Sequence, residues 1–437
     1  MTDKELLNLP QSKLKVAYDR FVPREFFRLL GKEDITKVKL GDQIERTMTI
    51  LFSDIRDFTS LSESMSPQQN YNFINSYLSQ MEPVIRKYGG MIDKYIGDAI
   101  MALFPEGADD ALNGSISMLK KLNSYNKKRE KSGYRSIRIG IGLNTGILMM
   151  GTVGGKNRME GTVISDAVNL ASRIESMTKN YGVSLLISEY TYHNLKNVQD
   201  YSIRFLDRVL VKGKSQPQSV YEVFSTDRAA IKEGKSKTIK MFEEALACYH
   251  LKQVEKSRNL LHKCLAINPE DSPAQLYLDR CKRFLDGGVH EGTGEFDKNI
   301  IWDENMKVGI KEIDDQHQEL FEHTNSLMNA IRERKDQYEV EKVISFLNEY
   351  VTNHFKDEEE IMQEHEYPFL SFQKEQHENF IKYFKEVETE LKDMRESRNY
   401  LMFRIQLLIA DWIVNHTYKE DRHFGRFLKY RGVTTPQ

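Results

Sequence analysis

Two aspartates follow apolar segments that are predicted to be strands. Asp54 ends the run "TMTILFSD", and Asp98 comes directly after "KYIG", at the turn between two further strands. Carboxylates at the ends of adjacent strands can hold divalent cations through oxygen ligands, and a bound ligand can complete the coordination. Aspartate is also common in turns, so either residue taken alone would fit a purely structural role.

A second candidate site lies in the last third of the chain. Each of four predicted helices there has one histidine in line with its apolar residues. These histidines are His317, His354, His377 and His416. Together with Glu358, one turn after His354, they would bury too much unpaired polarity unless they shared a partner. A metal ion is such a partner, and imidazole with carboxylate inside a helix bundle is a donor set that fits iron.

Asp421 is a further candidate whose spacing is unusual. It follows His416 by five residues, which in an ideal helix places it well off the face of that histidine. Either the helix widens at this point or the aspartate side chain reaches round. His365 shares the face of His354 but lies about three turns away, roughly 16 Å, so we do not expect it in the site.

Composition excludes several classes of protein. A formal net charge of −2 gives no electrostatic reason to expect nucleic acid or an anionic membrane as a partner. No apolar run approaches the roughly 20 residues that span a bilayer, and the N-terminus lacks the apolar core of a signal peptide. The three cysteines (Cys248, Cys264 and Cys281) do not have the close spacing of metal ligands. We therefore expect a protein of the reducing cytoplasm.

The length of 437 residues predicts two or three domains. Residues 1–45 are predicted to be a helical segment. From 46 to 225, strands alternate with helices, which is typical of an α+β domain built on a mainly antiparallel sheet. The segments "SIRIGIGLNTG" and "GILMMGTV" are predicted to be two separate strands of this sheet.

Only helices are predicted after residue 225. Residues 226–290 are expected to form a helical connector, resembling one tetratricopeptide pair with a cap. The glycine-rich stretch "DGGVHEGTGE" is then predicted to be a linker. In residues 298–430, four helical segments with short connections predict an antiparallel four-helix bundle.

The region 46–225 closely resembles the class III nucleotidyl cyclase catalytic domain. The matching motifs, in order, are "LFSDIRDFTSLSE", "KYIGDAIMALF", "RIGIGLNTG", "GTVISDAVNLASRIE" and "VKGK". The resemblance implies a ferredoxin-like sheet and a homodimer with shared active sites. It also implies that Asp54 and Asp98 bind two Mg²⁺ or Mn²⁺ ions. One ion would activate the ribose 3′-hydroxyl, and the other would hold the triphosphate.

The same resemblance assigns roles to the remaining motif residues. Asn169 would orient the ribose, and Arg173 would neutralise charge on the α-phosphoryl group. Lys212 or Lys214 would contact the terminal phosphates, and the sequence does not choose between them. Ser165 departs from the family, which usually has glycine there, but the change removes no catalytic group.

Two side chains, Lys94 and Thr162, occupy the positions with which the family reads the base. A lysine can only donate hydrogen bonds, so it suits the N1 acceptor of adenine and not the N1–H of guanine. Threonine can accept from the adenine amino group, and guanylate cyclases typically carry glutamate in place of the lysine. The expected substrate is therefore ATP.

Residues of about 300–430 resemble the bacterial hemerythrin-like domains. The matching motifs are "IWDENMKVGIKEIDDQHQELF", "HFKDEEEIM", "EYPFLSFQKEQHENF" and "WIVNHTYKED". The resemblance implies a non-haem di-iron centre. One iron would be held by His317 and His354, the other by His377 and His416, with Glu358 and Asp421 as bridges.

Gln373 stands where the family has a fifth histidine, four residues before His377. An amide oxygen is a weaker donor to ferrous iron than an imidazole nitrogen. We expect an altered ligand position here, whereas a hydrogen-bonded glutamine outside the coordination sphere is the alternative.

These expectations combine into one hypothesis, an adenylate cyclase regulated by oxygen, nitric oxide or redox state at a di-iron module. One alternative is a guanylate cyclase, which Lys94 disfavours. Another is a catalytically silent scaffold with an oxygen-binding or iron-storing bundle. The retained metal aspartates and base-reading residues argue against the scaffold.

Overall fold

The structure is a computed structural model, in which part of the chain is described. The described residues are 24–33, 35–155, 158–209, 217–288, 299–333, 335–392 and 398–433. Residues 1–23 of the predicted N-terminal helical segment lie outside them, as do Lys212 and Lys214. Among the described residues, no helix has the length and apolar character needed to cross a membrane.

An eight-stranded sheet organises the first half of the chain. The strands are β1 (Gln43–Ile55), β2 (Met91–Ile96), β3 (Ala99–Phe104), β4 (Ile139–Gly155), β5 (Arg158–Ile164), β6 (Leu185–Ser188), β7 (Ile203–Val209) and β8 (Gln218–Val223). Their order is β2-β3-β1-β4-β6-β8-β7, with β5 paired to β4 off this path. β1 pairs antiparallel with β3 and β4, whereas β6 runs parallel to β4. The predicted α+β class with a mainly antiparallel sheet is confirmed.

Within the described part of residues 24–209, six α-helices accompany the strands. They are α1 (Arg24–Leu29), α2 (Phe58–Glu63), α3 (Pro67–Lys87), α4 (Ala108–Lys131), α5 (Asp166–Tyr181) and α6 (Glu189–His193). The sequence sets the N-terminus of α3 through a pair of hydrogen bonds. The Ser66 side chain accepts a hydrogen bond from the Gln69 backbone amide, and the Gln69 side chain accepts one from the Ser66 backbone amide. Pro67 occupies the first turn, where no amide hydrogen is needed. One stripe of α3 is buried: Phe73, Tyr77, Met81 and Ile85.

β4 is a single strand of 17 residues, so the prediction of two separate strands was wrong. Gly140, Gly142 and Gly146 do not form a turn; they make room for α5. A Cβ atom on Gly142 would lie 2.2 Å from the Glu175 amide nitrogen, and one on Gly146 would lie 3.2 Å from Ala167. Because Gly140 pairs with Asp54 in the β1–β4 ladder, this close packing brings α5 to the end of β1.

Three helices follow the sheet: α7 (Ala229–His250), α8 (Val254–Ile267) and α9 (Ser272–Gly287). The bundle then contains α10 (Lys311–Arg332), α11 (Gln337–Glu364), α12 (Leu370–Lys392) and a last rod of residues 398–430, which we call the C-terminal helix. Contacts divide the chain into two compact units. One contains Met1–Ile203 and Tyr221–Asp227, and the other contains Arg204–Val220 and Arg228–Gln437.

The C-terminal helix is not uniform. Its α-helical parts, Arg398–Ile405, Asp411–His416 and Arg422–Tyr430, are separated by two π-helical turns, Gln406–Ala410 and Thr417–Asp421. The second π turn widens the helix between His416 and Asp421, which is the first of the two explanations for their five-residue spacing.

The second unit contains a fully buried ion pair, between Arg204 on β7 and Asp271 at the start of α9. Its two N–O distances are both 2.7 Å, and neither side chain is exposed. Replacing Asp271→Asn leaves the buried guanidinium without its counter-charge. We expect a loss of about 3–5 kcal/mol in the free energy of unfolding, measured by urea titration with circular dichroism.

Glu270 provides the matched control, because it pairs with Arg228 at the surface, where both side chains are more than half exposed. Glu270→Gln should leave the urea midpoint unchanged, since exposed ion pairs contribute little. Equal effects of the two substitutions would contradict the importance of the buried pair.

Candidate active site and metal centre

Asp54 and Asp98 lie side by side at one end of the sheet. Asp54 is the penultimate residue of β1, and Asp98 sits in the β2–β3 turn, where Gly97 has a φ of +67°. The Ile55 amide lies 2.9 Å from Asp54 Oδ1 and 3.3 Å from Asp98 Oδ2, within hydrogen-bonding distance of both carboxylates. The structure thus brings the two predicted metal ligands together.

Electrostatics at this end of the sheet favour a cation. Burial and the neighbouring Asp54 carboxylate raise the pKa of Asp98 to about 7. Glu175, on the packed face of α5, was not predicted from the sequence, although it closes the motif "NLASRIE". Burial and the charge of Asp54 raise its pKa to about 7 as well. A divalent cation would relieve this repulsion between carboxylates, so the donor set fits Mg²⁺ or Mn²⁺.

Lys94 and Thr162 are in contact. Lys94 is on β2 and Thr162 on β5, 68 residues later, and the Lys94 Nζ donates to Thr162 Oγ1 at 2.9 Å. The lysine side chain is 31% exposed, so its ammonium group can reach a ligand.

Asn169 and Arg173 lie one turn apart on α5, where Asn169 is exposed and Arg173 half-buried. Ser165 is the N-cap of this helix. Its hydroxyl accepts from the Ala167 amide at 3.1 Å and donates to the Ile147 carbonyl at 2.8 Å. The Ser165 φ is −167°, an extended conformation that does not need glycine. The departure from the family pattern therefore fixes the start of the helix that carries Asn169 and Arg173.

The candidate metal ligands of the bundle are all buried. None is more than 5% exposed: His317, His354, Glu358, His377, His416 and Asp421. Among the described residues, neither carboxylate oxygen of Glu358 has a hydrogen-bond partner. Burial, reinforced by the negative charge of Asp421, raises the pKa of Glu358. A buried carboxylate in this state calls for a cation.

Two groups of three side chains have the geometry to hold metal ions. They are His317, Glu358 and Asp421 in one group, and Glu358, His377 and His416 in the other, with donor atoms within 4.8 Å of one another. Glu358 belongs to both. Asp421 Oδ2 lies 3.3 Å from His317 Nε2, and Asp421 Oδ1 lies 3.1 Å from His416 Nε2. Both carboxylates thus stand between the two groups, as expected of bridging ligands.

His354 lies beside these groups, with its ring centre 4.8 Å from that of His317. Two side chains that the sequence analysis missed fix histidine orientations. Gln316 Oε1 is 2.9 Å from His354 Nδ1, and Glu359 Oε1 is 2.8 Å from His377 Nδ1. Each is adjacent in sequence to a predicted ligand, which is the only signal that could have indicated it. Such contacts leave Nε2 free to coordinate a metal.

Gln373 faces the same centre. It is 1% exposed, its Nε2 lies 3.5 Å from Asp421 Oδ1, and its Oε1 has no hydrogen-bond partner among the described residues. A buried amide oxygen left open in this way can face a metal ion or a metal-bound ligand.

Family comparisons agree with this division into two sites. Residues 40–224 match the family described as "Adenylate and Guanylate cyclase catalytic domain". Residues 308–428 match the "Hemerythrin HHE cation binding domain". The two matched segments contain the two candidate sites: Asp54 and Asp98 lie in the first, and the ligand groups of the bundle lie in the second.

Curated relatives of the cyclase domain include an "Adenylate cyclase" of Anabaena cylindrica, 45% identical over 226 residues, which are 50% of this chain and 45% of the relative. Another is the "Adenylate cyclase, terminal-differentiation specific" of Dictyostelium discoideum, 38% identical over 61% of this chain and 13% of the relative. The chain thus spans less than half the length of these relatives. Among solved structures, the adenylyl cyclase CyaB from P. aeruginosa is 34% identical over 43% of this chain and 97% of that chain, with a TM-score of 0.39.

The candidate metal centre of the bundle allows a direct test of Gln373. Gln373→His restores an imidazole on the buried face next to His377, so iron should be held more firmly. We expect iron content to rise towards two per chain and oxidation in air to slow, as measured by elemental analysis and visible absorption.

The matched control is Gln363→His, which adds a histidine at an exposed position of α11. It should change neither quantity. If wild type already holds two irons per chain, and Gln373→His changes neither the iron content nor the oxidation rate, Gln373 has no role in binding iron.

Proposed function

We propose that the chain converts ATP to 3′,5′-cyclic AMP and pyrophosphate. The observation that carries this proposal is the 2.9 Å contact between Lys94 and Thr162. Together the pair offers one ammonium donor and one hydroxyl acceptor, which match N1 and the amino group of adenine. Guanine presents the opposite pattern at the same two positions, so ATP is favoured over GTP.

The reaction needs charge control at the phosphates. Asp54 and Asp98 would hold two Mg²⁺ or Mn²⁺ ions. When bound, these ions supply activation of the 3′-hydroxyl and neutralisation of the triphosphate. Asn169 orients the ribose, and Arg173, one turn further along α5, stabilises charge that develops on the α-phosphoryl group. Lys212 or Lys214 contacts the terminal phosphates.

We further propose a homodimer in which each active site takes its metal aspartates from one protomer, and its base-reading residues, Asn169 and Arg173 from the other. Large apolar side chains on the strands that carry or adjoin Lys94 and Thr162 support this arrangement. They are between 40% and 63% exposed: Tyr95, Ile96, Val153, Met159 and Ile164. They lie on β2, β4 and β5. A second copy would remove part of this apolar area from water, which favours association.

A mixing experiment tests both the activity and the shared site. Purified wild type should form cyclic AMP from ATP with Mg²⁺ or Mn²⁺, whereas Asp98→Ala and Arg173→Ala should each be inactive. Mixed dimers of the two variants contain one intact site, so part of the activity should return.

Asp98→Ala mixed with Asp54→Ala is the control, because both changes fall on the same half of the site and no intact site can form. Folded, metal-supplied wild type that makes no cyclic AMP would overturn the proposed activity. Active wild type without recovery in verified mixed dimers would overturn the shared site alone.

We also propose that the hemerythrin domain regulates the cyclase through a non-haem di-iron centre that responds to oxygen, nitric oxide or redox state. The two ligand groups sharing Glu358 support two irons. Contacts within the second unit support a route from this centre to the cyclase sheet. Arg208 on β7 forms an ion pair with Asp411 on the C-terminal helix at 2.7 Å. The Gln218 side chain on β8 donates to Asn415 at 3.2 Å.

The helical connector forms hydrogen bonds with both β7 and the C-terminal helix. Glu243 on α7 accepts from the Phe205 amide on β7 at 3.1 Å and from the Tyr400 hydroxyl on the C-terminal helix at 3.2 Å. β7 and β8 flank the sequence that carries Lys212 and Lys214. A shift of the C-terminal helix can therefore reach the residues proposed to bind phosphate.

Asp411 also accepts from Gln406 at 2.7 Å, five residues earlier. Gln406, Asp411, His416 and Asp421 follow one another at five-residue intervals, and the two outer intervals are the π turns. The ion pair to Arg208 therefore lies in the α-helical segment Asp411–His416, which ends with the candidate iron ligand His416.

Iron state should change the cyclase rate of wild type, by a coupling on the order of 1–3 kcal/mol, or roughly 5–150-fold. Asp411→Asn removes the charge that holds Arg208 but leaves the iron ligands intact. We expect the iron content of this variant to match wild type, while its rates converge for the reduced, oxidised and iron-free forms.

Asp279→Asn is the control, because Asp279 pairs with Lys282 at the exposed surface of α9. It should preserve the iron dependence. If wild type has the same cyclase rate in its reduced, oxidised and iron-free forms, the proposed regulation is wrong. An undiminished iron response in Asp411→Asn would reject only this route.

A further inference from the structure

A bulge interrupts β2 at the residue before Lys94. In the pairing with β3, Ile92 is opposite Ala102 and Lys94 is opposite the next residue, Met101, so Asp93 is the extra residue. In a regular strand, consecutive side chains point to opposite faces, whereas a bulge re-aims them. Here it allows the side chains of Asp93 and Lys94 to meet.

The Asp93 carboxylate is nearly inaccessible, with 2% of its side chain exposed, and its Oδ2 lies 3.1 Å from Lys94 Nζ. Burial raises the pKa of Asp93, and the ammonium group of Lys94 opposes that rise. Burying a carboxylate costs desolvation free energy. The fold alone does not explain why this cost is borne beside Lys94, whose side chain is partly exposed.

We propose that Asp93 is a positioning residue for base selection, whose buried charge holds the Lys94 ammonium group in place beside the substrate. This inference rests on the proposed adenylate cyclase activity. Because Asp93 is buried, it acts through Lys94 and does not touch the base.

The hydrogen-bonding capacity of the three side chains supports the proposal. A lysine ammonium has three donors. One is directed to Thr162 Oγ1 at 2.9 Å, and the Asp93 carboxylate attracts the ammonium group through its charge, as an ion pair at 3.1 Å. Thr162 keeps one lone pair to accept a hydrogen bond. A further donor of Lys94 and this acceptor match N1 and the amino group of adenine.

The position of the ammonium group decides how well guanine is rejected. Guanine offers a donor at N1 and an acceptor at O6, so a lysine that moved from N1 to O6 could still bind it. A lysine on a flexible four-carbon stem is able to make that move. Two fixed contacts, to Asp93 and Thr162, prevent it. Without Asp93, only the contact to Thr162 remains.

Asp93→Asn tests this role, because asparagine has the shape of aspartate without its charge. The ratio of kcat/KM for ATP to that for GTP should fall by about tenfold, the scale of losing one contact to a charged group. We expect the fall in kcat/KM for ATP to come mainly from a higher KM. Glu63→Gln removes an exposed carboxylate from α2 as the control and should leave the ratio unchanged.

A double-mutant comparison separates positioning from general damage. If Asp93 acts only through Lys94, then Asp93→Asn should not change the nucleotide ratio further in a Lys94→Ala background. Asp93→Ser, which is smaller and also neutral, replaces the asparagine variant if that variant is not recovered folded.

An equal loss of kcat/KM for both nucleotides, or an unchanged ratio, would overturn the inference and leave Asp93 a structural residue. A further change of the ratio in the Lys94→Ala background would overturn it too. Absence of cyclic AMP formation by wild type would instead reject the proposed activity on which the inference rests.

Discussion

A carboxylate that is buried away from water must be paired with a cation, and this constraint explains the polar architecture of the chain. In three places a side chain supplies the cation: Arg204 beside Asp271, Arg208 beside Asp411 and Lys94 beside Asp93. At Asp98 and Glu358, carboxylates crowd together and the pKa rises. The three ion pairs fix the positions of strands and helices. The crowded carboxylates at Asp98 and Glu358 have negative charge that no lysine or arginine among the described residues neutralises, and metal ions would neutralise it.

The two metal centres differ in how the chain builds them. Asp54 and Asp98 come from a strand end and a turn, where the backbone amide of Ile55 holds both carboxylates. The bundle centre is made from side chains on four helices, and partners such as Glu359 orient its histidines from outside. At the sheet site Asp54 and Asp98 are half-buried, whereas the ligand groups of the bundle are almost fully buried. The bundle site is enclosed, so what reaches it must be small.

Much of this arrangement follows from local sequence pattern. The inward direction of four histidines is set by helical periodicity, and Asp54 and Asp98 are set by the ends of apolar strands. Other features depend on tertiary packing and have no local signal. The glycines of β4 suggested a break, yet Gly142 is there for the approach of α5. The bulge at Asp93 is visible only once β2 is paired with β3. A widened helix was one of two explanations for the five-residue spacing between His416 and Asp421. The spacing alone could not decide between them.

The two π turns have a mechanical consequence for the C-terminal helix. Each holds one residue more than an α-helical turn, so a π turn that moves along the rod rotates each residue that it passes by about 100°, while the residues on either side keep their orientation. The segment Asp411–His416 lies between both turns. Its side chains can therefore be turned to a new direction while both ends of the rod stay in place.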